Sequence, residues 1–149
     1  MINRLKRLLG IGADQRRSPG ADFSGSGDYW KTRYEKGRNS GAGSYNQLAT
    51  FKAEVLNQFV KERSVNSVIE FGCGDGNQLT LAEYPRYTGY DVSPDAISQC
   101  KQLFCDDETK SFYAVNDHSD EMAELTLSLD VVYHLVEDEV FEEYMNKLF

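Results

Sequence analysis

Val68-Ile69-Glu70-Phe71-Gly72-Cys73-Gly74-Asp75-Gly76-Asn77 decides the reading of this chain. Val68, Ile69 and Phe71 form a short apolar run, the pattern of a strand covered on both faces. Glu70 interrupts the run just before a turn. A carboxylate at such a place costs free energy unless backbone donors, water or a polar ligand satisfy it. Gly72, Gly74 and Gly76 let the backbone turn sharply and leave room for a ligand to approach the main chain. A helix beginning near Asn77 would aim its free N–H groups into the same crevice.

Three nucleotide-binding patterns compete for such a turn. The phosphate-cradling loop ends in Gly-Lys-Ser/Thr, and that ending is absent. The NAD fingerprint has glycines at its first, third and sixth positions. Here they stand first, third and fifth, and Asn77 is sixth. The neighbouring element decides between the patterns. Tyr87-Thr88-Gly89-Tyr90-Asp91-Val92 reads as a second strand whose acid lies 21 residues beyond Glu70. An acid about 20 residues past a glycine turn can accept both hydroxyls of a ribose. Ser93, Pro94 and Asp95 then suit the N-cap, first position and first turn of a helix. Ile97, Cys100 and Phe104 follow at helical spacing.

Acid-x-Gly-x-Gly-x-Gly followed by a strand-tip acid and a capped helix resembles motifs I and II of the class I S-adenosylmethionine (SAM)-dependent methyltransferases. The resemblance covers roughly residues 28–149. It implies an α/β fold, a Rossmann-like open parallel sheet with helices on both faces and strand order 3-2-1-4. Strands 5–7 of the full methyltransferase fold would be lacking. It also implies SAM as cofactor and cofactor contacts at Arg33, Glu70, Gly72, Cys73, Gly74, Asp91, Val92, Asp117, His118 and Leu129, with no metal.

Upstream, residues 1–27 read as a basic amphipathic start and linker, and residues 28–149 as the binding domain. Ile2, Leu5, Leu8 and Leu9 share a helical face beside Arg4, Lys6 and Arg7, in a segment too short to span a bilayer. Such a segment can rest on an anionic membrane surface. Within the domain, residues 28–63 would form an N-terminal cap and helix, and residues 64–149 an incomplete core. Asp28-Tyr29-Trp30-Lys31-Thr32-Arg33-Tyr34 resembles the cap of several small-molecule methyltransferases, in which an arginine holds the SAM carboxylate. A helix is expected from Ser44, with Gln47 completing a capping box and Leu48, Phe51, Val55, Leu56 and Phe59 as its buried stripe.

Downstream, Ser111–Val115 reads as the third strand, ending at Asn116-Asp117-His118. Glu124–Val132 reads as the fourth, running into Tyr133-His134-Leu135-Val136. There the family's "Leu-Glu-His-Val"-like segment lines the site, and Tyr133 replaces its glutamate. Glu137, Asp138 and Glu139 suit a helix start, with Val140, Phe141, Tyr144, Met145 and Leu148 on its buried face. Leu125 to Val132 would be a long apolar edge, open to self-association unless a partner or further chain covers it.

Composition sets limits on function. The net charge of −8 argues against general nucleic-acid binding. Residues 1–38 carry nine Lys/Arg and four Asp/Glu, net +5; the remainder is net −13. Cys73, Cys100 and Cys105 form no Cys-x-x-Cys pair, which fits a reducing, cytoplasmic setting better than a disulfide scaffold or zinc site. The expected activity is methyl transfer to a small molecule, sugar or lipid-linked glycan. His134 would be the general base for a hydroxyl acceptor, with His118 as second choice. A non-catalytic SAM-binding module and, less well supported, an NAD-dependent oxidoreductase are the alternatives.

Overall fold

The strands form one parallel four-stranded sheet in the order β3-β2-β1-β4. They are β1 (Val68–Phe71), β2 (Tyr87–Asp91), β3 (Lys110–Ala114) and β4 (Leu125–Leu127). The computed structural model describes residues 23–118 and 120–149, so the basic amphipathic start and most of the expected linker lie outside the described residues. Val68 pairs with Tyr87 on one side and Leu125 on the other, which aligns the carboxyl ends of β1 and β2. The expected fold class and strand order are the ones observed.

Among the described residues four α-helices accompany the sheet: α1 (Ser26–Glu35), α2 (Asn46–Glu62), α3 (Pro94–Leu103) and α4 (Asp138–Leu148). Alternation along β1 sends its side chains to opposite faces. Val68 joins Tyr87, Leu127, Phe112 and the buried residues of α2 and α3 in the larger core. Ile69 and Phe71 pack with Tyr90 against Tyr144 and Leu148 of α4. The start of α3 follows its sequence: Ser93 Oγ accepts from the N–H of Ala96, and Pro94 and Asp95 occupy the first turn. Among the described residues no helix is long and apolar enough to cross a membrane.

Four local expectations need correction. The segment after the glycine turn is a single 3₁₀ turn, Gln78–Leu81, and not an α-helix. Pro85 lies two residues before β2 and disfavours helical backbone at Tyr84, so the turn does not continue toward the strand. The second helix begins at Asn46, after Tyr45, with no side-chain cap; Ser44 belongs to the preceding 3₁₀ turn, Ala42–Ser44. Most of its expected buried stripe faces outward: Leu48 is 56% exposed, Phe51 63%, Val55 50% and Phe59 42%, whereas Leu56 packs against the larger core as expected and Ala49, Ala53 and Val60 are buried. The Ala49 carbonyl accepts from Gln78 Nε2 at 3.0 Å. Ala49 and Ala53 let the helix come that close, and Leu56 and Val60 fill the core further along it. Finally, β4 ends at Leu127, because Asp130 adopts φ +59° and turns the chain out of the sheet. The expected long apolar edge is thus three residues long, a length that blunts edge pairing.

Candidate functional site

A cavity of about 250 Å³ opens at the carboxyl ends of β1 and β2, where open α/β sheets place ligands. Gly72 and Gly74 line its floor, Asp91 and Val92 the β2 tip, and Val115 and Asn116 the β3 end. Leu129, Asp130, Val131 and His134 come from the segment after β4, and Tyr144 from α4. Helix α1 contributes Trp30 and Tyr34 from above.

Asp91 ties the floor together. One carboxylate oxygen accepts from Gly74 N at 3.0 Å and the other from Ser93 N at 2.9 Å. Burial pushes its pKa up, opposed by the backbone N–H groups of Ser93, Gly74 and Val92. Each carboxylate oxygen carries two lone pairs, so the group retains capacity to accept from a ligand. Gly74 has φ +59°, and a Cβ there would collide with Ser40 Oγ and meet Tyr34 Oη at 3.0 Å. A Cβ on Gly72 would collide with Val131. The glycines therefore serve the close packing of the protein's own cover as well as access for a ligand.

That cover is held at both ends. Ser26 N donates to Glu137 Oε1 (2.6 Å) and Ser26 Oγ to Glu137 Oε2 (2.5 Å); Ser26 Oγ also accepts from Val136 N (3.2 Å). At the other end, Ser40 N and Tyr45 Oη donate to Asp75 Oδ2 at 2.8 and 2.9 Å, and Asp75 N donates to Ser40 Oγ at 3.0 Å. Ser26, Ser40 and Asp75, the joints of this cover, were not legible as such in the sequence. Ser26 lay in what read as linker, and nothing local marks it as buried.

The expected site residues divide into two groups. Gly72, Gly74, Asp91, Val92, Leu129 and His134 converge on the cavity. The others lie apart from its lining. Arg33 donates through Nε to the Asn39 carbonyl at 2.6 Å and lies over the Trp30 ring. Glu70 accepts from Tyr87 Oη at 2.6 Å inside the larger core, and its burial raises its pKa to about 7. Cys73 is buried beside Cys100, whose Sγ donates to the Gly74 carbonyl at 3.2 Å. Asp117 ends the 3₁₀ turn Val115–Asp117, and His118 packs edge-on against Phe71 and Tyr90. Asn116, one residue from the expected Asp117, is the side chain that reaches the lining.

His134 meets the Trp30 ring edge-on at 5.0 Å between centroids. Burial lowers its pKa below the ordinary value; Asp130 opposes that shift and Arg33 adds to it. At neutral pH the ring is therefore mainly neutral and able to accept a proton. Lys52 Nζ pairs with Asp130 Oδ2 at 2.5 Å, which fixes the segment leading to His134. Among the described residues no cluster of side chains could hold a metal ion.

No family model matches the sequence, and no curated protein matches it. Solved structures do match. The methyltransferase domain of a bacterial Hen1 aligns with a TM-score of 0.60 and 20% identity, over 68% of this chain and 60% of that one. The N-methyltransferase NodS from Bradyrhizobium japonicum, solved with S-adenosyl-L-homocysteine, aligns at 0.64 and 18%, over 83% and 66%. Magnesium protoporphyrin IX methyltransferase from Synechocystis, solved with bound SAM, aligns at 0.61 and 15%, over 89% and 73%. The chain spans about three-fifths to two-thirds of the first two structures. At these identities the likeness establishes the fold: the chain has the fold of SAM-dependent methyltransferases, over the part that its four strands represent.

Proposed function

We propose that this chain is a SAM-dependent methyltransferase domain that acts on a small-molecule, sugar or lipid-linked glycan acceptor. One observation carries the reading. The glycine turn and the strand-tip acid, read separately in the sequence, converge on one cavity at the carboxyl ends of β1 and β2. The fold shared with methyltransferases supports it, as do the SAM and S-adenosylhomocysteine held by two of those neighbours.

The residues present fit such a cofactor. Asp91 has lone pairs left for the ribose hydroxyls, and Gly72 and Gly74 keep side chains off the floor. Val92, Val115 and Asn116 would border the base, with Asp117 and His118 close behind them. Leu129, Asp130 and Val131 face the glycine turn from the other wall. Arg33, Glu70 and Cys73 would act by supporting the cap and the turn. When bound, SAM supplies a methyl group activated on a sulfonium. The chain then has to orient the acceptor, exclude water and take a proton. Trp30 and Tyr34 would exclude water from above, and His134 would serve as the proton acceptor on the acceptor side.

A non-catalytic SAM-binding module is the second reading, favoured by the position of Arg33, Glu70 and Cys73 apart from the cavity lining. Calorimetry with SAM, S-adenosylhomocysteine and NADH tests both against an NAD-binding role. Binding of SAM and S-adenosylhomocysteine without NADH is the expected outcome; preference for NADH would overturn it. Methyl transfer to any acceptor separates the enzyme from the module.

A further inference from the structure

Asp75 and Asn77 flank the last glycine of the turn, and neither side chain lines the cavity. Asn77 stands where the NAD fingerprint has its third glycine. Both side chains reach the loop above the turn, residues 40–45. Asp75 divides its carboxylate between two tasks. Its Oδ1 accepts from Asn77 N at 3.1 Å, within the turn. Its Oδ2 accepts from Ser40 N at 2.8 Å and from Tyr45 Oη at 2.9 Å, in the loop. The Asp75 N–H donates to Ser40 Oγ at 3.0 Å, and Asn77 Nδ2 donates to the Ser44 carbonyl at 2.7 Å. Four hydrogen bonds thus fasten this loop to the turn. Through them Ser40 and Ser44 are held on the cavity wall.

The residue types suit the task. Three donors converge on the Asp75 carboxylate, which accepts on both oxygens; an asparagine would turn its NH2 group toward at least one of them. Asp75 is buried, so water competes poorly for these bonds. The loop has little else to hold it, since its 3₁₀ turn, Ala42–Ser44, contains no buried residue. Asn39, just before the loop, belongs to α1, because Arg33 Nε donates to its carbonyl. Gly41, at φ +96°, bends the backbone beyond that point. The Tyr34 and Ser40 hydroxyls, 2.8 Å apart, link the loop to α1.

Every partner in these four bonds belongs to the protein itself. Such bonds hold the loop down with or without cofactor, so they cancel from the affinity. They do not cancel from the rates, because the loop must leave the turn whichever way the cofactor moves. We propose, resting on the methyltransferase reading above, that Asp75 and Asn77 are positioning residues that clamp the loop over the cofactor. Release of this clamp, without release of α1, sets the rate of cofactor exchange.

Stopped-flow mixing of the full chain with S-adenosylhomocysteine, followed by the fluorescence of Trp30, its one tryptophan, gives both rates. Tyr45→Phe and Asn77→Ala each remove one bond of the clamp and leave Asp75 in place. Each should raise association and dissociation together by about fivefold, the worth of one net hydrogen bond, and change Kd by less than about twofold. Amide exchange should quicken over residues 40–45 and match the parent over residues 26–35, with the circular dichroism spectrum retained. Faster dissociation without faster association would mark an ordinary loss of binding contacts and overturn the clamp, as would unchanged rates in both variants. Faster exchange over residues 26–35 as well would show the cover lifting as one unit and overturn the separate release. Failure of the parent chain to bind S-adenosylhomocysteine would overturn the methyltransferase reading and the cofactor role with it; normal binding with unaltered rates would overturn the clamp alone.

Discussion

Asp91 serves the fold and the site with the same two oxygens. It braces the Gly74 and Ser93 amides, and it lines the cavity. Asp91→Ala should therefore weaken S-adenosylhomocysteine binding by about 1–3 kcal/mol and also lower stability, because two buried N–H groups lose their acceptor. Calorimetry and urea unfolding on the same variant separate the effects. Unchanged affinity with reduced stability would leave Asp91 a purely structural brace. Gly74 is the second such residue. Gly74→Ala imposes a left-handed conformation worth about 1–2 kcal/mol on a residue with a Cβ, and that Cβ collides with Ser40. The expected result is a retained circular dichroism spectrum with the Ser40 loop displaced and cofactor binding lost. Retained binding would show that the loop yields without harm.

The helices divide by what holds them. Helix α2 packs through Ala49, Ala53, Leu56 and Val60 and turns Leu48, Phe51, Val55 and Phe59 outward. Ala53→Leu should cost about 1–3 kcal/mol by overpacking. Phe51→Ser should change stability by no more than about 0.5 kcal/mol. Urea midpoints check the pair, and the reverse order would restore the stripe expected from the sequence. Helix α1 depends instead on polar joints at its ends, Ser26 with Glu137 and the Ser40 loop with Asp75. Such a segment should open on its own, at low free energy. Amide exchange over residues 26–45 should slow when S-adenosylhomocysteine is added. Identical exchange with and without it would make α1 a fixed cover.

Across the whole molecule, Glu70 is the group most able to link stability to pH. Burial raises its pKa from 4.5 to about 7, despite the Tyr87 hydrogen bond and the nearby Lys52 charge; Asp91 and Asp130 push the same way as burial. The folded state holds this proton more tightly than the unfolded chain. Its contribution is thus fully present below pH 4.5 and is lost as pH rises toward 7, by an amount on the order of 3 kcal/mol. Glu70→Gln keeps an acceptor for Tyr87 and removes the titration. Relative to the parent, the variant should gain stability between pH 5 and 8, read as a rising difference in urea midpoint. A variant less stable than the parent at pH 8 would mean that Glu70 is ionised and paired with Lys52 in the fold.

The sequence alone determined the sheet and its binding edge. Alternation, glycine spacing and the acid 21 residues further on are local signals, and a parallel sheet places the ends of β1 and β2 side by side. For that reason Gly72, Gly74, Asp91 and the N-cap Ser93 were legible. The apolar stripe of α2 misled because periodicity reports which residues share a face, not which face the sheet selects. The short contact between the Gln78 side chain and the Ala49 carbonyl selected the side that carries the alanines. Asn116 replaced Asp117 at the lining because a 3₁₀ turn, invisible to periodicity, sets which side chain turns inward. Ser26 bonding Glu137, Ser40 bonding Asp75, and Lys52 pairing with Asp130 join residues 111, 35 and 78 positions apart. Only tertiary structure decided those contacts, since a hydrogen bond between distant residues has no local pattern to betray it.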